Sequence, residues 1–171
     1  IDVVIEGCQI RTDFPQGFVG IRILRSDGVC IEKCLIEQVN VGIWAEGFSR
    51  NLTVLNNEIN LAMGPRGDDN QGAGAGLIGV WARNIPSPVR VSDNVILGAF
   101  IGVRLNDANV GDAPTSLARG SSVTGNYVVC AQVSLNLDGD ARIGAIDVAS
   151  DESTVAHNKV FYGFLYYVGI H

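Results

Sequence analysis

One short phrase recurs along the chain and constrains its fold more than any other feature. A β-branched residue, a glycine and a small apolar residue follow one another six times. The six copies begin at Val19, Val41, Ile78, Ile101, Ile143 and Val168. Between successive copies lies a second phrase, in which a strand-like run reaches a polar position and continues as another short strand. Two interleaved motifs of this period predict a solenoid, because each unit is too small to bury its own apolar face.

The intervals between the phrases indicate the length of one turn. The shortest intervals add up to about 23 residues per coil, which is room for about three short strands. Apolar residues at alternate positions are expected to point inward from these strands. The set from one of the strands of each turn is Ile31, Val54, Val91, Val123 and Val155. We therefore expect an all-β chain, a right-handed parallel β-helix of about six rungs.

The second phrase also carries a resemblance to a known family. The run from Asn51 to Ile59, together with the glycine phrase, resembles the repeat of the pectin-lyase-like superfamily of parallel β-helices. The resemblance covers the whole chain, and it implies the fold. Such folds host lyases, hydrolases, epimerases, phage tailspikes and structural spikes, so the resemblance selects no single function. In such a coil, side chains at one corner would stack and hydrogen-bond from rung to rung. The expected ladder consists of Asn57, Asn94, Asn126 and Asn158.

Composition narrows the partners and the setting. We expect residues 1–171 to form one domain, since 47% of them are apolar. A net charge of -6 argues against nucleic acid as the main partner. No apolar stretch reaches the roughly 18 residues of a membrane span. Neither end carries the polar cap of a terminal repeat, so we expect a segment of a longer solenoid. The location that we expect for it is extracellular, cell-surface or virion-associated.

The four cysteines predict neither a zinc site nor a clear disulfide. Cys8 and Cys34 occupy the ladder position on neighbouring rungs, where parallel side chains give a poor disulfide dihedral. We expect two stacked free thiols there. Cys30 is expected to face outward, and Cys130 to begin a loop. The cysteine pattern therefore favours neither an oxidising nor a reducing compartment.

Three long insertions surround the strip that the glycine phrases build. They span residues 60–77, 105–120 and 129–142. Long loops on one side of a rigid scaffold are typical of a binding groove. The alternative is that solenoid loops simply tolerate insertion at little cost.

The side chains that face out of this strip form the candidate binding site. Alternation is expected to expose Arg22, Trp44, Trp81 and Arg104 on consecutive rungs, continued by Asp147 and His171. The next outward position holds Glu46, Arg83 and Asn106. Indole faces stack on sugar rings and arginines bind carboxylates, which together suit an acidic polysaccharide. The alternative is that the tryptophans pack as a small cluster under the loops while the arginines pair with nearby acids.

Acidic residues beside the tryptophans raise the question of catalysis. Asp68 and Asp69 lie in the loop 64–72, and with Glu46 and Asp147 they are candidate acids for glycoside hydrolysis. The Gly-Asp-Asp run resembles the acidic pair of polygalacturonase-type hydrolases, although that family's Gly-His-Gly and Arg-Ile-Lys are absent. In a lyase, Arg22, Arg83 or Arg104 would act as the base. No set of metal ligands is predicted, and calcium at the acidic loop is the one cofactor that the residues allow.

The sequence thus favours a domain that recognises an extracellular polysaccharide. The stronger form of this hypothesis is that the domain also cleaves the polysaccharide, as a lyase or glycoside hydrolase. The other hypothesis is a non-catalytic rod or binding module of a tailspike, adhesin or spike. In that case a homotrimer is the expected assembly.

Overall fold

The computed structural model describes residues 3–13, 18–47, 49–61, 78–83, 85–99, 101–105, 120–131, 145–148 and 152–163. Those ranges contain strands and no helix, and so nothing in them forms a helix that could cross a membrane. In chain order the strands are β1 (Val3–Glu6), β2 (Gln9–Arg11), β3 (Val19–Leu24), β4 (Asp27–Glu32), β5 (Leu35–Val39), β6 (Val41–Glu46), β7 (Arg50–Leu55), β8 (Glu58–Leu61), β9 (Ile78–Arg83), β10 (Val89–Ser92), β11 (Val95–Ala99), β12 (Ile101–Leu105), β13 (Ser122–Thr124), β14 (Tyr127–Ala131), β15 (Ile146–Val148), β16 (Thr154–Ala156) and β17 (Lys159–Gly163).

Successive strands rotate through three parallel sheets. Sheet A has the order β1-β4-β7-β10-β13-β16, and sheet B has β2-β5-β8-β11-β14-β17. Sheet C has β3-β6-β9-β12-β15. Each strand pairs with the strand three places later in the chain, so one coil of the chain makes one rung. This confirms the predicted parallel β-helix of about six rungs.

The interior is a column of aliphatic side chains contributed by all three sheets. Ile31, Val54, Val91 and Val123 are fully buried, as their alternation predicts. Val155 is different, with 52% of its surface exposed. It lies in β16, one of the two edge strands of sheet A among the described residues, which has a strand neighbour on one side only.

The asparagine ladder is present and runs without a break. The Oδ1 of Asn94 accepts hydrogen bonds from the backbone N–H and the Nδ2 of Asn57, at 2.9 and 3.0 Å. Asn126 does the same for Asn94, and Asn158 for Asn126. Each amide therefore satisfies buried donors of the rung beside it, which makes the ladder a structural device.

The residue before each ladder position makes the corner by adopting a left-handed backbone conformation. Its φ is 53° at Lys33, 54° at Asn56, 56° at Asp93 and 58° at His157. Asparagine, aspartate and glycine tolerate this region best, and Gly7 and Gly125 fill the remaining corners. The exposed His157 is thus a corner residue.

The four cysteines are free thiols. Cys34 takes the place of a ladder asparagine, with its Sγ 3.3 Å from the carbonyl oxygen of Glu32 and 3.6 Å from that of Ile5. Burial raises the pKa of the Cys34 thiol. The prediction that Cys130 begins a loop is wrong, because Cys130 lies inside β14 and is buried. Burial raises the pKa of its thiol as well.

The glycine of the recurring phrase is required for space. A Cβ on Gly42 would lie 2.5 Å from the carbonyl oxygen of Gly79 and 2.5 Å from the Cγ2 of Ile59. Gly79 is equally confined, by the carbonyl oxygen of Gly102 and by Ile96. The glycines therefore point into the coil and allow the corner between sheets B and C to close around the core.

Candidate functional site

The outer face of sheet C carries the side chains that the sequence singled out. Trp44 is in register with Arg22 on one side and with Trp81 on the other, and Trp81 is in register with Arg104. Arg104 in turn is in register with Asp147. We call these five residues the indole column. Their predicted alignment on consecutive rungs is confirmed.

The two tryptophans of the column stack on each other. Their ring centroids are 5.0 Å apart and their planes differ by 10°. The guanidinium carbon of Arg22 lies 4.8 Å from the centroid of Trp44, and that of Arg83 lies 5.9 Å from the centroid of Trp81. One face of each indole is therefore covered by the other indole, and both receive an arginine. A sugar would meet mainly the edges of these rings.

A second apolar cluster lies beneath the indole column and was not found from the sequence. The buried Val41, Ile78 and Ile101 form it, apart from the interior core and in contact with both tryptophans. These are the first residues of the glycine phrases. In the second glycine phrase, for example, the Cα–H of Gly42 that a side chain would replace points inward, and so does the side chain of Ile43. The inward–outward alternation is therefore interrupted, and Val41 faces outward on the same side as Trp44. A glycine within a strand was the available sign of such an irregularity.

The three charged residues of the indole column each contact a group of opposite charge. Glu46 accepts hydrogen bonds from Arg22, through Nε at 3.2 Å and through Nη2. Arg104 holds its Nε 3.3 Å from Asp147 Oδ2. Both contacts match the alternative in which arginines of this face balance nearby acids.

An open depression of about 460 Å³ lies beside the column, at the outer edge of sheet C. It is lined by Leu24, Arg25, Glu46, Gly47 and Arg83. Leu24, Glu46 and Arg83 share one register position on three consecutive rungs. The Nε of Arg83 is buried and has no hydrogen-bond partner among the described residues. The depression is thus lined by a guanidinium that forms no ion pair with the described residues.

Arg25 was missed because it lies beyond the end of β3. Its φ of 48° is left-handed, and in this bend its backbone N–H donates to the carbonyl oxygen of Glu46 on the next rung, at 3.4 Å. Alternation along a strand does not predict where a residue in such a bend will point.

The structure brings together only part of the predicted site. Asp68, Asp69, Asn106 and His171 lie outside the described residues, as do most of the three insertions. Glu46 and Asp147 are three rungs apart in sheet C and occupy different register positions, so their backbones are more than about 14 Å apart. In the described ranges no group of three or more His, Cys, Asp or Glu side chains could hold a metal ion.

Comparison with known proteins gives one match. A family model described as a right handed beta helix region matches residues 2–163, which include every described strand. No curated protein and no solved structure matches the chain significantly.

Proposed function

This chain belongs to the family of right-handed β-helices, and from that premise we propose that it binds an acidic polysaccharide along the outer face of sheet C. Family membership alone does not lead to this function, because the fold serves many functions. The proposal rests on the charge and shape of that one face. An extracellular, cell-surface or virion-associated location is proposed with it.

The observation that carries the proposal is a local excess of positive charge on an acidic protein. The chain as a whole has a net charge of -6. On this face the described arginines are Arg22, Arg25, Arg83 and Arg104, against the two carboxylates of Glu46 and Asp147. A carboxylate-bearing ligand would relieve this imbalance. Arginine suits such a ligand because its planar group binds carboxylates through two parallel hydrogen bonds.

The shape of the face fits a long ligand along the helix axis. Successive rungs are about 4.8 Å apart, so a polysaccharide chain can contact the same register position repeatedly. The half-buried indole edges and the side chain of Leu24, which is 51% exposed, supply apolar contact beside the arginines. Arg83 would bind the ligand carboxylate in the depression.

Cleavage is the finer proposal, and it depends on the acidic loop. Carboxylate pairs of glycosidases lie within about 9.5 Å of each other, less than the roughly 14 Å between the rungs of Glu46 and Asp147. Each of these two acids is also held by an arginine. A hydrolase would therefore need Asp68 or Asp69. In a lyase, Arg83 would be the candidate base, since Arg22 and Arg104 each lie against an acid.

A non-catalytic structural module is the second candidate. The observation that favours it is the stack of Trp44 on Trp81 over a buried apolar cluster, which stabilises the rod without any ligand. In that case the chain would be a segment of a tailspike, adhesin or spike, with a homotrimer as its assembly.

Binding of polygalacturonate and alginate, measured by calorimetry with neutral dextran as the comparison, separates these functions. Arg83→Gln and Arg25→Gln each remove one guanidinium from the depression. Arg90→Gln removes an exposed one from sheet A and is the matched control. Losing a hydrogen-bonded charge at a binding site weakens affinity by roughly 10-fold or more. We therefore expect that loss for the first two variants and an unchanged affinity for Arg90→Gln.

Failure of both acidic polysaccharides to bind, or equal weakening by Arg90→Gln, would refute the binding proposal. Turnover is measured on the same substrates by release of reducing ends and of unsaturated products. A hydrolase of the proposed kind loses its activity in Asp68→Asn or Asp69→Asn while its binding remains.

A further inference from the structure

The outer face of sheet B changes from polar to apolar along the helix axis. On β2, β5 and β8 its outward positions are mainly polar, with Gln9, Arg11, Glu37, Glu58 and Asn60. On β11, β14 and β17 they are mainly apolar, with Val95, Leu97, Tyr127, Val129 and Phe161. Val95, Tyr127 and Phe161 are 38%, 39% and 49% exposed. We call these five residues the apolar patch.

Sheet A has no counterpart to this patch among its described residues. The matching outward positions of β7, β10, β13 and β16 hold Thr53, Arg90, Ser122 and Thr154. A contiguous exposed apolar surface marks a contact surface. The side chains of the patch are already ordered against each other, as the rings of Tyr127 and Phe161 lie 5.1 Å apart.

Two opposite charges flank the centre of the patch symmetrically. The centre lies between β11 and β14, and β8 and β17 are the next strands outward on either side. Glu58 of β8 and Lys159 of β17 occupy the same register position as Val95 and Tyr127. Neither charged side chain forms an ion pair within the part of the chain that the structure describes. Glu58 accepts one hydrogen bond, from the Nδ2 of Asn60 at 3.0 Å.

We propose that this face binds the same face of a second copy of the chain, in a two-fold dimer whose helix axes run in opposite directions. The two-fold axis lies along the strands, between β11 and β14. It places Tyr127 over Val95 of the second copy and Lys159 over Glu58 of the second copy. Each contact occurs twice, as an isologous interface requires.

The charges select this axis among the neighbouring ones. An axis along β14 would place Lys159 over Val95, and an axis along β11 would place it over Leu35. Both arrangements leave Lys159 against an apolar side chain and Glu58 unpaired. Only the axis between the two strands pairs both charges. It covers Val95, Leu97, Tyr127 and Val129 with patch residues of the second copy and places Phe161 over Asn60.

The size of the surface predicts a weak and reversible dimer. Four strands about 4.8 Å apart and about 16 Å long outline roughly 300 Å² on each copy. This is well below the roughly 800 Å² per partner of a standard stable interface. Association is therefore expected at high micromolar protein concentration, with a monomer at low concentration.

Sedimentation equilibrium under reducing conditions, from low micromolar to near-millimolar concentration, tests this dimer. We expect a monomer–dimer equilibrium that Tyr127→Lys abolishes, because it places a charge at the centre of the patch. Thr154→Lys adds the same charge on sheet A and should leave the equilibrium unchanged. All of these side chains are exposed, and circular dichroism checks that each variant is folded.

An exchange of charges tests the register of the interface. Lys159→Glu and Glu58→Lys each create two like-charged contacts in the dimer, and each should weaken it by about 10-fold. The double variant restores opposite charges and should return the affinity to near that of the unchanged chain. A monomer at every concentration, a trimer, or a double variant no tighter than the single ones would overturn the proposal.

Discussion

Replacing Gly42 by alanine tests whether the recurring glycine is there for space. Gly42 has no left-handed φ, so an alanine can adopt its backbone conformation. At such a position the substitution alone would stabilise the fold by about 0.4–1 kcal/mol, by restricting the unfolded chain. Any loss of stability must therefore come from the added methyl group.

The magnitude follows from the two contacts that the methyl group would make. It would lie 2.5 Å from the carbonyl oxygen of Gly79 and 2.5 Å from the Cγ2 of Ile59. Overpacking of a core by one methyl group costs about 1–3 kcal/mol. The carbonyl oxygen belongs to the backbone of the next rung and cannot turn away, so we expect the upper part of this range. Subtracting the stabilisation that comes from restricting the unfolded chain leaves a net decrease of about 2 kcal/mol in the free energy of unfolding.

Urea denaturation followed by tryptophan fluorescence measures this loss, and thermal unfolding should show a fall of about 4–8 °C. Gly7→Ala is the matched comparison. Gly7 has a φ of 63° and open space around it, so alanine there is strained by conformation alone. That strain is worth about 1–2 kcal/mol. A Gly42→Ala chain as stable as the unchanged one would refute the argument from space.

Three further predictions concern the ladder, the indoles and the thiols. Asn94→Ala removes the acceptor of the Asn57 N–H and Nδ2 groups in a fully buried position, and should cost about 3 kcal/mol or more in denaturation. The stacked indoles predict an exciton couplet in the far-ultraviolet circular dichroism that Trp44→Ala and Trp81→Ala each abolish completely; a couplet that survives either change contradicts the stack. Burial raises the pKa of the Cys130 thiol, so its contribution to stability is full below the unfolded thiol pKa of about 8.5 and is lost as the pH rises through the folded value. Unfolding measured between neutral and alkaline pH should therefore show a decline that Cys130→Ala makes shallower, and an unchanged slope would argue against this assignment.

Most of the fold was predictable because the same pattern of residues recurs on every rung. The glycine phrases and the ladder asparagines are spaced by the geometry of one coil, so their intervals predicted the rungs. The alignment of Trp44 with Trp81 followed from the same spacing, since equal offsets from a phrase become one register position. The sequence therefore predicted which residues share a face.

The remainder depended on places where the backbone leaves the regular strand. Val41 faces outward because Gly42 and Ile43 both point inward, and alternation from the sequence cannot show this. Arg25 reaches the depression from a left-handed bend after its strand ends. Cys130 is buried because β14 extends further than its sequence suggests. The stacking of the indoles on each other is a matter of side-chain orientation, which no residue spacing fixes.

The rotation of the strands through three sheets has a consequence for how such a chain can change. Each rung contacts only the rungs before and after it. The stability of the fold is therefore a sum of contributions from single rungs and from contacts between neighbouring rungs. Adding or removing one complete rung creates no new kind of contact and keeps every face in line. Adding one residue within a strand turns the faces of all later positions in that strand. The length of the rod is therefore free to vary in units of a rung, while the phase of its strands is fixed.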